Sequence, residues 1–220
     1  MQAIMESAFS ILYLITAVAL GCYIIRRQRN NRQYFVFGIM TLILGFGDAF
    51  HLVPRILALW TTGLENYTVS LGFGKLVTSI TMTVFYVLLY HVWRLRYEIK
   101  GKNSLTACVY ALAAIRVALC LFPQNMWLSA DAPYEWGVYR NIPFVILGIV
   151  IIIIYLQTAK KKNDRAFRFL WLAVLVSFAF YIPVVLWADV YPLIGMLMLP
   201  KTCAYVWLMW MGFSEIKKNV

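Results

Sequence analysis

The stretch YFVFGIMTLILGFGDAFHLVPRI, residues 34–56, runs from Tyr34 to Gly47 without a formal charge and then places Asp48, His51 and Arg55 within eight positions. In water its apolar part would need a protein cover. In a bilayer it is a span, and a span accepts ionisable groups only where they are kept from lipid. Which solvent this run faces decides the fold.

Composition points to lipid. The chain has 220 residues, of which 63% are hydrophobic and 13% charged. A soluble domain of that size needs far more charge on its surface. Seven apolar runs can be read, at 8–25, 34–54, 69–93, 104–122, 141–158, 167–188 and 191–213. A hydrocarbon core of about 30 Å is crossed by a helix of about 20 residues, and each run is near that length. Helices are required because lipid offers backbone N–H and C=O groups no partner. The longest connector, about 17 residues before the fifth run, is too short for a soluble domain. The expectation is an all-α, polytopic integral membrane protein: a single seven-helix transmembrane domain over residues 1–220, in the cell membrane.

The net charge of +11 does not signal nucleic acid, because the cations gather in alternate connectors. Arg26, Arg27, Arg29 and Arg32 follow the first run. Arg94, Arg96, Lys100 and Lys102 follow the third, Lys160, Lys161, Lys162 and Arg165 the fifth, and Lys217 and Lys218 the seventh. The opposite connectors carry Glu65, Asp131, Glu135 and Asp189. This positive-inside pattern predicts an outside N-terminus and a cytoplasmic C-terminus. Trp60, Tyr67, Trp127, Trp136, Trp187 and Tyr191 read as the outer aromatic belt, and Trp93, Tyr97 and Trp210 as the inner one. The first run has no basic residues before it and reads as a retained span rather than a signal peptide.

At 100° per residue, Asp48, His51 and Arg55 share one stripe of their helix. Gly45 and Gly47 permit close approach by a neighbour. Pro54 would free the carbonyl of Phe50, and Pro200 that of Met196. With the predicted topology, Lys75, Arg116 and Tyr181 fall at about the depth of Asp48, with Lys201 slightly deeper and Arg140 at the outer mouth of its helix. Lys75 shares a stripe with Thr78, Ser79, Met82 and Tyr86, which reads as an interior face. Five helices therefore offer polar groups to one layer. The predicted site is an outward-opening polar cavity lined by Asp48, His51, Arg55, Lys75, Arg116, Arg140, Tyr181 and Lys201. Its cations outnumber Asp48, which selects an anionic or amphipathic small ligand. The leading function is that of a sensor or carrier of such a ligand, a membrane lipid or anionic amphiphile. A sensor would need a cytoplasmic partner protein or a second copy of itself.

Other chemistries are constrained. His51 and His91 lie near opposite ends of their helices, roughly 25–30 Å apart on helix rise, so they form no shared metal site. Cys22, Cys108, Cys120 and Cys203 fall within spans and show neither a disulfide framework nor a Cys-x-x-Cys pattern. No phosphate loop, nucleophile elbow or cofactor fingerprint is present, and no cofactor or metal is assigned. A second reading is an intramembrane lipid-acting hydrolase, with Asp48 and His51 at i and i+3 as orienter and general base. Here Gly47-Asp48-Ala49-Phe50, GDAF within an apolar helix, resembles the Gly-Asp motif of the lysoplasmalogenase-like membrane family. That resemblance spans four residues and implies a catalytic carboxylate at Asp48 acting on vinyl-ether lysolipids. The family pattern also includes a second helix-borne aspartate and eight spans, where this chain offers Asp48 and seven. A third reading is a retinal-binding, rhodopsin-like protein through Lys201, which requires Asp48 to approach that lysine as counter-ion.

Overall fold

The computed structural model describes residues 2–28 and 30–218. Arg29, grouped above with the basic cluster after the first run, and the side chain of Lys218 lie outside the described residues. The described chain is all-helical and has seven helices long and apolar enough to cross a membrane. They are α1 (Gln2–Arg27), α2 (Arg32–Trp60), α3 (Thr68–Arg96), α4 (Asn103–Leu121), α5 (Tyr134–Lys161), α6 (Leu170–Trp187) and α7 (Met198–Lys218). Short 3₁₀ turns at Leu64–Tyr67, Pro123–Asn125 and Pro192–Leu197 join them at one end of the bundle.

The helix boundaries have local causes. Asn31 caps α2, its Oδ1 accepting from the backbone N–H of Gln33 at 3.1 Å and of Tyr34 at 3.5 Å, which satisfies donors that a helix start leaves free. Between α3 and α4 the chain turns through Gly101 and Lys102, at φ 71° and 57°. The Arg94 guanidinium holds that turn by donating to the carbonyls of Ile99 and Gly101, each at 3.2 Å. Before α6, the Asp164 carboxylate accepts from the N–H groups of Ala166 and Phe167 at 3.0 and 3.2 Å.

Consecutive helices pack side by side, and α7 closes the ring against α1 while touching α2. The α2–α3 contact is the most extensive, for a reason present in the sequence. Thr81 packs directly on Gly47, and Thr78 donates to the Gly47 carbonyl at 3.0 Å. One turn further on, the Phe50 carbonyl lies on Gly74, where any Cβ would overlap it and would sit 2.6 Å from His51 Cα. Pro54 does free that carbonyl from its helical partner. It does not end α2, which continues to Trp60.

Two other expectations are corrected. The seventh run is not one α-helix: residues 192–197 are 3₁₀, and Pro200 falls in the first turn of α7. Its missing N–H is an orphan position there, so it disrupts no helical bond. Trp93 is buried at 4% exposure and donates to Thr158 at 3.1 Å, so it belongs to the core rather than to an interfacial belt.

The faces match a bilayer-solvated bundle. On α5, Phe144, Leu147, Ile151 and Ile154 are buried, while Ile142, Ile146, Ile149 and Ile153 are exposed. A helix apolar on both sides fits protein on one face and lipid on the other. At the end where α2 finishes, Trp60 donates to Ser7 at 2.9 Å and Arg55 pairs with Glu6. At the opposite end, Arg96 bridges Asp164 and Glu215, donating to each at 2.8 Å, and lies 4.1 Å over the Phe167 ring. Tyr97 adds a 2.8 Å hydrogen bond to Asp164. Arg96, grouped above with the connector cations, is thus a largely buried tie between α3, the α5–α6 turn and α7.

Candidate functional site

Arg116 is the most constrained of the predicted site residues. It comes from the middle of α4, is 2% exposed, and its guanidinium carbon stands 3.2 Å from the centroid of Phe144 on α5. Its Nε and Nη1 have no hydrogen-bond partner. It is in none of the three ion pairs among the described residues, which are Arg55–Glu6, Arg96–Asp164 and Arg96–Glu215. The ring beneath it packs against Tyr86 at 5.0 Å, Phe178 at 5.1 Å and Tyr181 at 5.9 Å. These are ordinary aromatic separations. A cation held on a ring face gains some attraction, but a guanidinium has five N–H donors, and the ring cannot accept from them all.

Lys201 reaches the same layer from α7. Its ammonium lies 4.6 Å over the Tyr181 ring and 5.7 Å from the centroid of Tyr205. Of the charged groups near it, Asp48 attracts the ammonium and Arg116 repels it, and no salt bridge to Asp48 forms. Asp48 is held instead by Tyr13, which donates to its Oδ2 at 2.6 Å. Tyr181 is fixed by donating to Asn141 at 2.8 Å. Ser177, one turn before Tyr181 on α6, is 1% exposed. It sits beside the hydroxyls of Tyr86 and Tyr205, which are 3.3 Å apart.

Four of the eight predicted residues, Asp48, Arg116, Tyr181 and Lys201, therefore meet inside the bundle. The other four are placed differently. Arg55 turns away to Glu6 on α1. Arg140 donates to Asn125 Oδ1 at 2.9 Å and lies 4.2 Å over Trp127, which ties it to the α4–α5 connector rather than leaving it free at a mouth. Lys75 is exposed, although Met82 and Tyr86 further along its stripe are buried. His51 directs Nδ1 at the Leu71 carbonyl of α3 at 3.4 Å. Asp48 and His51 thus take separate partners and make no hydrogen bond to each other in this arrangement.

Sequence reasoning passed over Tyr13, Ser177 and Tyr205. Tyrosine and serine in apolar runs carry no periodic or charge signal, and only the packing shows which of them face Asp48 and Arg116. Among the described residues there is no group of three or more His, Cys, Asp or Glu side chains that could hold a metal ion. Cys120 is buried one turn from Arg116, and all four cysteines are free. Two surface concavities lie elsewhere. One, of about 640 Å³, is lined by Arg26, Arg27 and Arg32 with their neighbours in the α1–α2 turn. The other, of about 540 Å³, is apolar and lies between Phe50, Val53, Pro54 and Phe73. No protein-family model, curated protein or solved structure matches the chain.

Proposed function

We propose that this is a multi-pass protein of the cell membrane, with its N-terminus outside and its C-terminus in the cytoplasm, that binds an anionic or amphipathic small ligand in the layer around Arg116 and Lys201 as a sensor or carrier. The observation that carries the reading is Arg116: a guanidinium at 2% exposure whose Nε and Nη1 are unmatched. An isolated buried charge is strongly unfavourable, and a buried polar group costs free energy until it is hydrogen-bonded. Lys201 adds a second cation to the layer, and Asp48 compensates one of the two. An anion supplies what is missing, both acceptor and charge. The basic end of the bundle, with Arg26, Arg27, Lys160, Lys161 and Lys162, supports the orientation. It also suits an acidic cytoplasmic partner if the protein is a sensor.

The test is a thermal-stability screen of the purified protein against anionic, neutral and cationic amphiphiles of equal chain length. Anionic members raise the melting temperature by mass action, and Lys201→Met or Arg116→Gln removes the rise. Stabilisation by cationic members alone, unchanged in both variants, overturns the reading.

One observation favours a second reading. Lys201 and Asp48 lie within electrostatic reach, with Tyr13 on the carboxylate and two tyrosine rings around the amine. A lysine in that setting suits condensation with an aldehyde ligand, retinal among them, with loss of water and Asp48 as counter-ion. Borohydride reduction after incubation with retinal, followed by peptide mass spectrometry, finds the adduct on Lys201 if this reading holds. An unmodified Lys201 removes it.

A further inference from the structure

We propose that the concavity at the α1–α2 turn binds the phosphate of an anionic phospholipid headgroup. This goes beyond the Arg116 reading and does not depend on it.

The concavity has a volume of about 640 Å³ and is lined by Arg26, Arg27, Gln28, Asn30, Asn31 and Arg32. That volume falls within the roughly 300–1,000 Å³ of small-molecule sites. It lies between the end of one span-length helix and the start of the next. The apolar run of α1 stops at Ile25, and that of α2 begins at Tyr34. A feature at that height is level with the lipid headgroups, whichever side of the membrane it faces.

The charge of the lining is unanswered by the protein. Arg26, Arg27 and Arg32 are exposed and belong to none of the ion pairs among the described residues. No acidic residue stands between Glu6 and Asp48 in the sequence. At the same end of the bundle, Asp164 and Glu215 are both taken by Arg96. Arg94 is also engaged, by the carbonyls of Ile99 and Gly101. The α1–α2 turn differs in gathering three arginines around one hollow without a counter-charge.

Residue type narrows the ligand. The positive-inside rule counts lysine and arginine alike, and the connector after α5 meets it with Lys160, Lys161 and Lys162. The first connector uses arginine alone, and no lysine precedes Lys75. A guanidinium fork matches phosphate oxygens with two parallel N–H···O bonds, whereas an ammonium is a point charge. The side-chain amides of Gln28, Asn30 and Asn31 bring neutral donors to the same hollow. A carboxylate on an acidic protein segment would also suit a guanidinium, but the height of the concavity favours lipid. A zwitterionic choline headgroup carries its own cation and is disfavoured there.

The full chain in neutral-detergent micelles, at an ionic strength of about 0.15 M, is titrated with dioleoyl phosphatidate or dioleoyl phosphatidylcholine. Bound lipid is counted by native mass spectrometry, with the melting temperature as a second readout. The expected result is a saturable phosphatidate adduct with a rise in melting temperature, and neither with phosphatidylcholine. Arg26→Lys/Arg27→Lys/Arg32→Lys keeps every charge, and with it topology and fold, and weakens the apparent affinity about tenfold. Lys160→Gln/Lys161→Gln/Lys162→Gln leaves this adduct unchanged, and so does Lys201→Met, which separates the site from the interior layer. An affinity unaltered by the three arginine changes, or lowered equally by the three lysine changes, reduces the turn to general basic surface and overturns the site. Loss of the adduct in Lys201→Met alone assigns the lipid to the interior, which overturns this site and leaves the anion-binding reading standing. Glycerol 3-phosphate or hexaglutamate that competes at concentrations equal to the phosphatidate overturns the lipid assignment, in favour of a soluble phosphoester or an acidic protein segment.

Discussion

Asp48 and Arg116 are both ionisable groups inside a membrane-length bundle, and the protein treats them in opposite ways. Asp48 has a donor: Tyr13 holds it at 2.6 Å. Arg116 has a ring face and two unmatched nitrogens. Hydrogen bonds to charged groups contribute about 1.5–3 kcal/mol, so Tyr13→Phe should destabilise the fold by that order and Asp48→Asn by a similar amount. The double variant should fall short of the sum, because both changes act on one contact. Chemical denaturation in mixed micelles measures all three, and strict additivity would show that the contact contributes nothing. Arg116→Met should behave differently. In ligand-free protein it removes an uncompensated charge and should leave stability unchanged or raised, while ligand response disappears. A large loss of ligand-free stability in Arg116→Met would show that the guanidinium is already compensated by the protein.

At the scale of elements, the α2–α3 pair and the Arg96 tie are the two features whose disturbance should be felt most. Gly74→Ala places a methyl group on the Phe50 carbonyl. Overpacking of this kind costs about 1–3 kcal/mol, and a shift of α2 would also move Asp48 relative to Lys201. The tie at the other end titrates. Burial alone would push the Asp164 carboxyl up, but hydrogen bonds from Arg96 and Tyr97, with the guanidinium charge, outweigh it and hold the group below the ordinary carboxylate range. A carboxylate with a depressed folded pKa stabilises the protein fully above its unfolded value of about 3.9. That contribution is lost as pH falls through the folded value. Unfolding followed from pH 7 downward should therefore show a loss of stability below about pH 4 that is absent in Asp164→Asn. An identical acid limb in both proteins would count against the tie.

These elements also show what was legible in advance. Gly45 and Gly47, just before and at the start of the GDAF stretch, marked α2 as a helix that neighbours approach closely, and Gly45 packs on Ala17 of α1 and Gly47 on Thr81 of α3. Arg116 and Lys201 were legible because charge inside an apolar run has few places to go. Ser177 was not, because a serine in an apolar helix ordinarily bonds the carbonyl one turn back. Asp164 was not legible, because it stands within the basic run Lys160–Arg165, whose cations outnumber it. Pro200 was misread because the start of α7 is set by the 3₁₀ turn at 192–197, which hydropathy alone does not distinguish from helix.

For the whole molecule, the seven helices are a consequence of composition, and the distribution of charge between the two ends proposes the orientation. Replacing the four native cysteines and introducing Lys162→Cys or Glu65→Cys separates the ends. A membrane-impermeant maleimide added to intact cells should label the cysteine at 65 and spare that at 162. The reverse pattern would invert the map, and with it the side from which a ligand enters.

The claim that the interior cations exist to meet an anion is tested most directly by an experimental density map of the wild-type protein purified without added ligand, paired with mass spectrometry of what copurifies. The account predicts non-protein density within hydrogen-bonding distance of Arg116, about 3 Å, and an anion among the copurified species. An Arg116 side chain paired with a protein carboxylate, or turned out to lipid, with no density against it, would contradict the account.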